Sequence, residues 1–362
     1  MKISKIFFGF SLLTAFGVNP SWADGLDVLK LPKGFHISIF AQGLENPRGM
    51  ALSPEGVLYV CDMKPGKIFR LSGPDAQPQL VIEGLNKPHS LTFYQGKLYV
   101  GETNRISRFS DWSHHHWAED GVKVVDLPDS GMHFTRTVAF GPDDKLYVSC
   151  GSDCNTCEES DNRRAAILRY NPDGTGFEIF ANGLRNAVGL AFNPKTGDLW
   201  ATCHGRDYLG DDLPPEIITI VKKGQNYGWP YSYTLHGKSI PDPDFGKKGH
   251  TQNAIPLFEY QAHCAPLGIH FYTGDQFPKR YRNGFLVAFH GSWNRTIPVG
   301  YKVVFVPLLK SGKPGKPEDF ISGFLHNGER IGRPVDLLTS PDGGLYISDD
   351  HNGRIFKVTY KP

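Results

Sequence analysis

One short apolar pattern, of the type Gly-x-Leu-Tyr-Val, recurs along this chain and constrains its fold more than any other feature. Its six copies are centred on Leu58, Leu98, Leu146, Leu199, Leu286 and Leu345. Intervals of about 40 to 90 residues between copies are typical of a radial repeat in which each unit is one small antiparallel sheet. The sequence therefore predicts an all-β fold, a six-bladed β-propeller of four-stranded antiparallel blades.

A glycine-bearing turn and a second strand follow the clearest copies, as where residues 344–348 lead to residues 353–357. The alternation of apolar and polar positions, with Asn352-Gly353 at the turn, predicts a hairpin. The segment 34–40 precedes the first full repeat and resembles the element that closes each unit. We therefore expect it to supply the outer strand of the last blade, which would leave no open sheet edge at the ring seam.

The first residues have the features of a secretory signal. Lys2 and Lys5 precede an apolar stretch over residues 6–18, and Ser21-Trp22-Ala23 offers a small-x-small cleavage site. We expect a signal peptide over 1–23 and one propeller domain over 24–362, in a periplasmic or secreted protein with no membrane span, because the apolar stretch is short. Cleavage would leave 37 basic against 37 acidic residues. This balance argues against nucleic acid or an anionic membrane as a partner.

Six cysteines in an exported chain favour disulfides. Cys154 and Cys157 form the local pair, and the spacing leaves a metal or redox site as the alternative to a disulfide. A c-type haem would require His directly after the second cysteine, where this chain has Glu158. Pairing of Cys203 with Cys264 between neighbouring blades is an open possibility, and Cys61 and Cys150 are not assigned.

In a four-stranded antiparallel blade, two of the connections emerge at the same end, so one face of the ring collects twelve loops. The residues expected in these loops are rich in His and Arg, whereas the lysines fall mostly in hairpin turns. Arginine is a fixed, planar, bidentate donor that suits carboxylate recognition. The alternative is that loops are polar simply because they meet water. We expect a functional pocket on the ring axis.

These residues make the chain similar to the soluble sugar dehydrogenases that depend on pyrroloquinoline quinone (PQQ), including their L-sorbosone and pyranose dehydrogenase-like branch. The resemblance covers roughly residues 29–360. The motifs that carry it are Gly183-Leu184-Arg185-Asn186, His133 before Phe140-Gly141-Pro142-Asp143, Gly205-Arg206-Asp207, Lys223 to Pro230, and the run His290 to Arg295.

The resemblance implies roles for particular residues. His133 would be the general base that takes the proton of a sugar hydroxyl as hydride leaves for the quinone, and Arg185 and Asn186 would contact the quinone oxygens. The backbone carbonyls of Gly205 and Arg206 would coordinate Ca²⁺, although the better-studied members have proline where this chain has Arg206. The full set expected to bind the cofactor is Arg185, Asn186, Arg295, Arg333, Trp293, His204, His89 and Arg48.

The resemblance implies an exported oxidoreductase that oxidises an aldose, a sugar aldehyde or a related alcohol and passes electrons to a separate acceptor, a cytochrome or a quinone. Two alternatives stay open. One is a metal-dependent lactonase on the same propeller, in which acidic and amide side chains would hold the metal. The other is a non-catalytic propeller that binds a partner on its face, because fold alone does not fix function.

Overall fold

A computed structural model of the chain describes residues 25–74, 77–129, 131–249 and 254–362. The expected signal peptide, residues 1–23, lies outside them. The described residues form six four-stranded antiparallel blades around one axis, which confirms the predicted fold. All six predicted centres lie in the second strand of a blade. No helix in the described ranges has the length and apolar character needed to cross a bilayer.

The first three blades follow the chain order of their strands. Blade 1 contains Pro47–Leu52, Leu58–Asp62, Lys67–Leu71 and Gln79–Glu83; blade 2 contains Ser90–Tyr94, Lys97–Gly101, Arg105–Phe109 and Val122–Asp126; blade 3 contains Val138–Phe140, Leu146–Cys150, Ala166–Tyr170 and Glu178–Asn182. The two-residue strand His116–Trp117 adds to the outer edge of blade 1 in parallel, and a short 3₁₀ helix, Ala118–Asp120, follows it.

The last three blades carry the longer insertions. Blade 4 contains Asn186–Phe192, Leu199–His204, Glu216–Ile220 and Phe258–Tyr260; blade 5 contains Pro266–Phe271, Gly284–Phe289, Lys302–Pro307 and Glu318–Ile321; blade 6 contains Pro334–Thr339, Leu345–Asp349, Arg354–Tyr360 and Phe35–Ala41. Two hairpins, Ser232–Leu235 with Lys238–Pro241 and Leu325–His326 with Glu329–Arg330, and a 3₁₀ helix, Lys279–Arg282, occupy insertions.

The ring is closed by its N-terminal strand, as the sequence predicts. Phe35–Ala41 pairs antiparallel with Arg354–Tyr360, so the outer strand of blade 6 comes from the start of the domain. Phe35 is buried and makes edge contacts with the rings of Phe277, Tyr281 and Phe320 of blade 5. The closing strand therefore also contributes to the hydrophobic contact between the last two blades.

Apolar side chains fill the space between each pair of neighbouring blades. One cluster lies between blades 1 and 2, one between each following pair, and one between blades 6 and 1. A small separate cluster, Val188, Leu267 and Val335, lies on the axis. Since every blade depends on both neighbours for its core, the loops on one face are held in fixed relative positions.

The closing strand gives the first testable prediction. Phe35→Ala should lower the free energy of unfolding by about 3–5 kcal/mol, because it removes a buried aromatic ring and leaves a cavity. Guanidinium denaturation followed by tryptophan fluorescence measures this change. Phe177→Ala is the matched control, because the ring of Phe177 is half exposed. A loss below about 1 kcal/mol for Phe35→Ala would show that the seam does not depend on this ring.

Candidate functional site

The innermost strands of four blades carry β-bulges at equivalent positions near the axis. The register shifts lie between Pro47 and Met50, between Ala187 and Leu190, between Pro266 and Ile269, and between Pro334 and Leu337. A glycine lies in the first three of these bulges, where a Cβ atom would come within 2.2 to 2.7 Å of a backbone oxygen of the next blade. A bulge redirects a side chain out of the sheet. The bulges therefore let the strands approach the axis closely and turn residues such as Arg48 toward one end.

A cavity of about 240 Å³ lies at this end of the axis. Its lining contains three arginines, Arg48, Arg185 and Arg333, each from a different blade or loop. The arginines are held by fixed acceptors: Arg48 Nη1 donates to Asp350 Oδ2 at 2.5 Å, and Arg185 donates to the oxygens of Gly205, Asn155 and Asp207 at 2.7 to 2.9 Å. Burial lowers the pKa values of Arg185 and Arg333 from their ordinary value, yet a guanidinium stays protonated in proteins. Each guanidinium therefore keeps a fixed position in the lining, and Asp350 and Asp207 partly compensate the charges of Arg48 and Arg185.

Arg333 donates to the backbone oxygens of His290 and Gly291, both at 3.2 Å. These two bonds connect the blade 6 loop to the blade 5 loop. Trp293, from the same blade 5 loop, lines the cavity and is two-thirds exposed, with its ring edge-on to that of Tyr208. The cavity thus has a cationic wall and an aromatic residue at its mouth.

Four histidines line the cavity, and burial makes three of them weak bases. Burial, then the charge of Arg185, lowers the pKa of His133 to about 3. Burial lowers the pKa of His204 to about 3 and that of His290 to about 4. These three imidazoles are neutral at physiological pH, so each offers one donor and one acceptor nitrogen. His263 is the fourth.

The hydrogen-bond partners of the rings fix their tautomers. His133 Nδ1 lies 2.9 Å from the backbone oxygen of Ser152, which can only accept, so Nδ1 carries the proton and Nε2 is the free base. His204 donates from Nε2 to the oxygen of Pro266 at 2.9 Å and accepts at Nδ1 from Asn186 at 3.3 Å. His133 therefore offers a lone pair that His204 does not.

Two carboxyl groups also line the cavity beside Gly205. Glu216 accepts from the Gly205 backbone N–H at 2.9 Å, and burial raises its pKa to about 8. Asp207 accepts from Arg185 at 2.9 Å and from Asn294 at 2.8 Å. The lining beside Gly205 therefore combines these two carboxyl groups with the guanidinium of Arg185.

Of the residues expected to bind the cofactor, Arg48, Asn186, Arg185, His204, Trp293 and Arg333 line the cavity, as do the predicted base His133 and the predicted metal ligand Gly205. Three others lie elsewhere. His89 lies in a second pocket among the inner strands, the axial channel, which Gly189, Gly268 and Asp336 also line. Its Nε2 is 3.4 Å from Arg48 Nη2. The guanidinium of Arg206 pairs with Asp242 and Asp244 at 2.8 and 2.9 Å in a neighbouring cleft.

Arg295 does not line the cavity, whereas the other three arginines of the predicted set, Arg48, Arg185 and Arg333, do. The guanidinium of Arg295 donates to the backbone oxygen of Asp211 and pairs with Asp212 at 3.1 Å. The blade 5 loop turns at Gly291, whose φ is +104°, and directs Trp293 and Asn294 to the cavity while Arg295 reaches the blade 4 loop.

Sequence reasoning left several lining residues without a role, namely Asp207, Glu216, His263, His290 and Asn294. Asp207 and His290 stand in motifs that the sequence analysis singled out, so their loops were recognisable. Glu216 begins a strand, where a carboxylate carries no local signal of burial. The partner of His290, Asp350, lies 60 residues further along the chain in the loop of the next blade.

The cysteines are divided as follows. Cys154 and Cys157 form a disulfide, as predicted. The possible pairing of Cys203 with Cys264 is wrong, because both thiols are free and buried, as are those of Cys61 and Cys150. Cys203 packs between blades 3 and 4 and Cys264 between blades 4 and 5, so each fills a different apolar cluster.

The comparisons with known proteins agree with this architecture. The model of the TrAA12-like family matches residues 29–361, and the chain belongs to this family. An uncharacterized protein of Borreliella burgdorferi is 31% identical over 351 residues, which cover 92% of this chain and 91% of that protein. The predicted relationship to the PQQ-dependent sugar dehydrogenases is confirmed.

Two named relatives are dehydrogenases. The aldose sugar dehydrogenase YliI of Escherichia coli is 28% identical, over 64% of this chain and 61% of that protein. The PQQ-dependent pyranose dehydrogenase of Coprinopsis cinerea is 25% identical, over 91% of this chain and 54% of that protein. The calcium structure of the Trichoderma reesei family AA12 enzyme superposes with a TM-score of 0.80 at 22% identity, covering 92% of this chain and 97% of that one, and shares the fold.

The axial channel generates a pH prediction. Asp336 is half-buried there and accepts from the Met50 backbone N–H at 2.8 Å; desolvation raises its pKa to about 6. An unfolded aspartate titrates near 3.9. Between these values the folded state binds more protons, so the free energy of unfolding falls as pH rises from about 4 to 6, by roughly 3 kcal/mol.

Asp336→Asn should remove this slope, because an amide does not titrate. Denaturation at several pH values between 4 and 7 measures the slope, and the exposed Asp27→Asn serves as the control. An Asp336→Asn profile parallel to that of the wild type would show that this carboxyl does not titrate in that interval.

Proposed function

We propose that this chain is an exported quinoprotein oxidoreductase that oxidises a sugar at a hydroxyl or aldehyde carbon with PQQ and passes the electrons to a separate acceptor. The observation that carries the proposal is one buried cavity in which three arginines and a histidine with a free lone pair meet. The names of the relatives supply the cofactor and the substrate class. Export rests on the sequence of residues 1–23.

The cavity residues fit PQQ, which carries carboxylates, quinone oxygens and a pyrrole N–H. Arg48 and Arg333 would hold carboxylates, and Arg185 and Asn186 would face the quinone oxygens, because planar guanidinium groups bind such oxygens in fixed geometry. The side-chain oxygens of Asn186 and Asn294 are buried and lack a hydrogen-bond partner among the described residues. They are therefore acceptors that a ligand N–H would satisfy. The volume is close to the lower end of the usual range for ligand pockets, ~300 Å³.

PQQ would supply a hydride acceptor. The chain would supply the base: His133 Nε2 would take the hydroxyl proton of the substrate, and the Ser152 oxygen would keep His133 in the tautomer that can do so. The low pKa of His133 keeps the ring unprotonated across the physiological range. Trp293 would offer an apolar surface to the sugar ring at the mouth.

Calcium is part of the proposal, held at the backbone carbonyls of Gly205 and Arg206. Hard oxygen donors suit Ca²⁺, and Gly205 lines the cavity, where its backbone oxygen is such a donor. The Gly205 oxygen already accepts from Arg185 at 2.7 Å and has a second lone pair for a cation.

The lactonase alternative is not favoured by this geometry. It requires acidic side chains that are free to hold a metal in the centre of the cavity. Asp207 is paired with Arg185, and Glu216 is buried against the Gly205 N–H with a pKa of about 8. The cavity as a whole is cationic, which suits an anionic cofactor better than a catalytic cation alone.

Titration of the purified protein with PQQ, in the presence of Ca²⁺, tests the proposal. We expect stoichiometric binding seen by absorbance, and then reduction of a dye that depends on an added aldose or sugar aldehyde. The calcium assignment is tested in parallel by adding PQQ to EDTA-treated protein, with binding restored by Ca²⁺. Absence of PQQ binding under both conditions would exclude the quinoprotein function, and binding indifferent to EDTA would exclude the calcium site alone.

His133→Ala should slow substrate-dependent reduction of the bound cofactor by about 10²- to 10⁴-fold, because it removes the base. Binding of PQQ should stay close to that of the wild type, since the arginines are unchanged. Stopped-flow absorbance without any electron acceptor measures the rate. His270→Gln is the matched control, because His270, like His133, is half-buried but bonds to Thr339 outside the cavity. Wild-type reduction by His133→Ala would remove His133 from the mechanism.

A further inference from the structure

Two of the cavity histidines have a free lone pair. His263 donates from Nε2 to the Gly210 oxygen at 2.9 Å and accepts at Nδ1 from Asn294 at 3.3 Å, so both of its nitrogens are occupied, as are those of His204. His290 donates from Nε2 to Asp350 Oδ1 at 2.8 Å, and its Nδ1 has no hydrogen bond to a described residue. The unoccupied ring nitrogens of the cavity are therefore His133 Nε2 and His290 Nδ1.

The two rings differ in what lies behind them. His133 is held by a neutral backbone oxygen, whereas His290 is held by a carboxylate that would stabilise its protonated form. Burial raises the pKa of Asp350, but His290, Arg48 and Arg333 outweigh burial and hold it below its ordinary value. Asp350 is thus ionised and fixed between His290 and Arg48. The other charged or titratable groups that act on His290 are Arg333, Arg48 and His204.

The stoichiometry of the proposed reaction requires a place for two protons. Oxidation of a carbon bearing a hydroxyl to a carbonyl breaks one O–H and one C–H bond and releases two electrons and two protons. His133 accounts for the hydroxyl proton. The other hydrogen leaves the carbon as hydride, and its proton is released when a one-electron acceptor reoxidises the cofactor. That proton also has to be accepted inside a buried, cationic cavity.

We infer that His290 Nδ1, backed by Asp350, accepts this second proton, so that the site has two bases with separate tasks. This inference rests on the proposed function. A new N–H bond would form at Nδ1 as the bond that holds this proton to the reduced cofactor breaks, and the two electrons would pass one at a time to two equivalents of the acceptor. Asp350, which lies between His290 and Arg48, would stabilise the imidazolium until the proton reaches solvent. Asp350 is a positioning residue that acts through His290.

The test separates the two half-reactions in the holoenzyme. The reductive step is followed by cofactor absorbance without an acceptor, and the reoxidation step by mixing the reduced enzyme with a ferrocenium-type one-electron acceptor. His290→Gln should slow reoxidation by about 10²-fold, well beyond its effect on the reductive step, whereas His133→Ala should slow the reductive step. His270→Gln is again the control for loss of a half-buried histidine.

Asp350→Asn gives a readout that a purely structural role would not produce. The rate of reoxidation should rise with pH through the pKa of His290, because only the neutral ring accepts a proton. Loss of the carboxylate lowers that pKa. In Asp350→Asn, the rise in the reoxidation rate should therefore occur at lower pH than in the wild type. The maximal rate should also be lower, since a weaker base accepts the proton more slowly. A slower reoxidation whose rate rises at the same pH as in the wild type would exclude the role of Asp350.

The tautomer of His290 is measured independently of activity. In the ¹⁵N NMR spectrum of the cofactor-free protein, His290 should show a protonated Nε2 and an unprotonated Nδ1, and His290→Gln should remove that pair of signals. The opposite tautomer would overturn the inference, as would His290→Gln with wild-type reoxidation or with slowing confined to the reductive step. If wild-type protein binds no PQQ, the proposed function fails while the tautomer remains measured.

Discussion

Desolvation at the axis of a closed ring is the constraint on which this site depends. The bulged inner strands approach so closely that a Cβ atom on the axial glycines would meet the backbone of the next blade. Loop residues at the end of the axis therefore lie among protein atoms rather than in water. This burial keeps His133, His204 and His290 neutral and requires every buried charge to have a fixed partner. Arg48 and Arg185 have Asp350 and Asp207, and Arg333 has backbone oxygens.

The same constraint explains why the wall consists of arginine. A buried lysine can lose its proton, since burial lowers its pKa by several units, whereas a guanidinium does not. Arginine also forms several bonds in one plane: Arg185 reaches three oxygen-bearing neighbours at once, Gly205, Asn155 and Asp207. A cation that must stay charged and stay in place without water is better served by this geometry than by a flexible ammonium group.

The sequence predicted the parts of the molecule that follow from local patterns. The period-two alternation around Leu58 or Leu345 fixes a strand, and the match between residues 34–40 and the last strand of a repeat predicted the closure by Phe35–Ala41. The parallel strand His116–Trp117 was not predicted, because it depends on an edge left open by blade 1. Cys203 and Cys264 were misjudged for a similar reason, since spacing in the chain does not tell which interblade cluster a thiol fills. The motif around Arg295 predicted a cofactor ligand, but the direction of its side chain depends on the turn at Gly291, which the motif does not specify.

The separate tasks of His133 and His290 could not be predicted from the sequence, because they depend on which nitrogen of each ring is hydrogen-bonded. Both rings stand in loops that the sequence marked as functional. The fold places the backbone oxygen of Ser152 at Nδ1 of His133, and it places the carboxylate of Asp350, from the next blade, at Nε2 of His290. In a cavity with three arginines an imidazolium is unfavourable wherever it forms, so a proton accepted there must be compensated or released at once. His133, whose ring is bonded to a neutral carbonyl, suits brief acceptance of a proton while the substrate loses hydride. His290, whose ring is bonded to Asp350, suits a proton that must be held during two successive electron transfers.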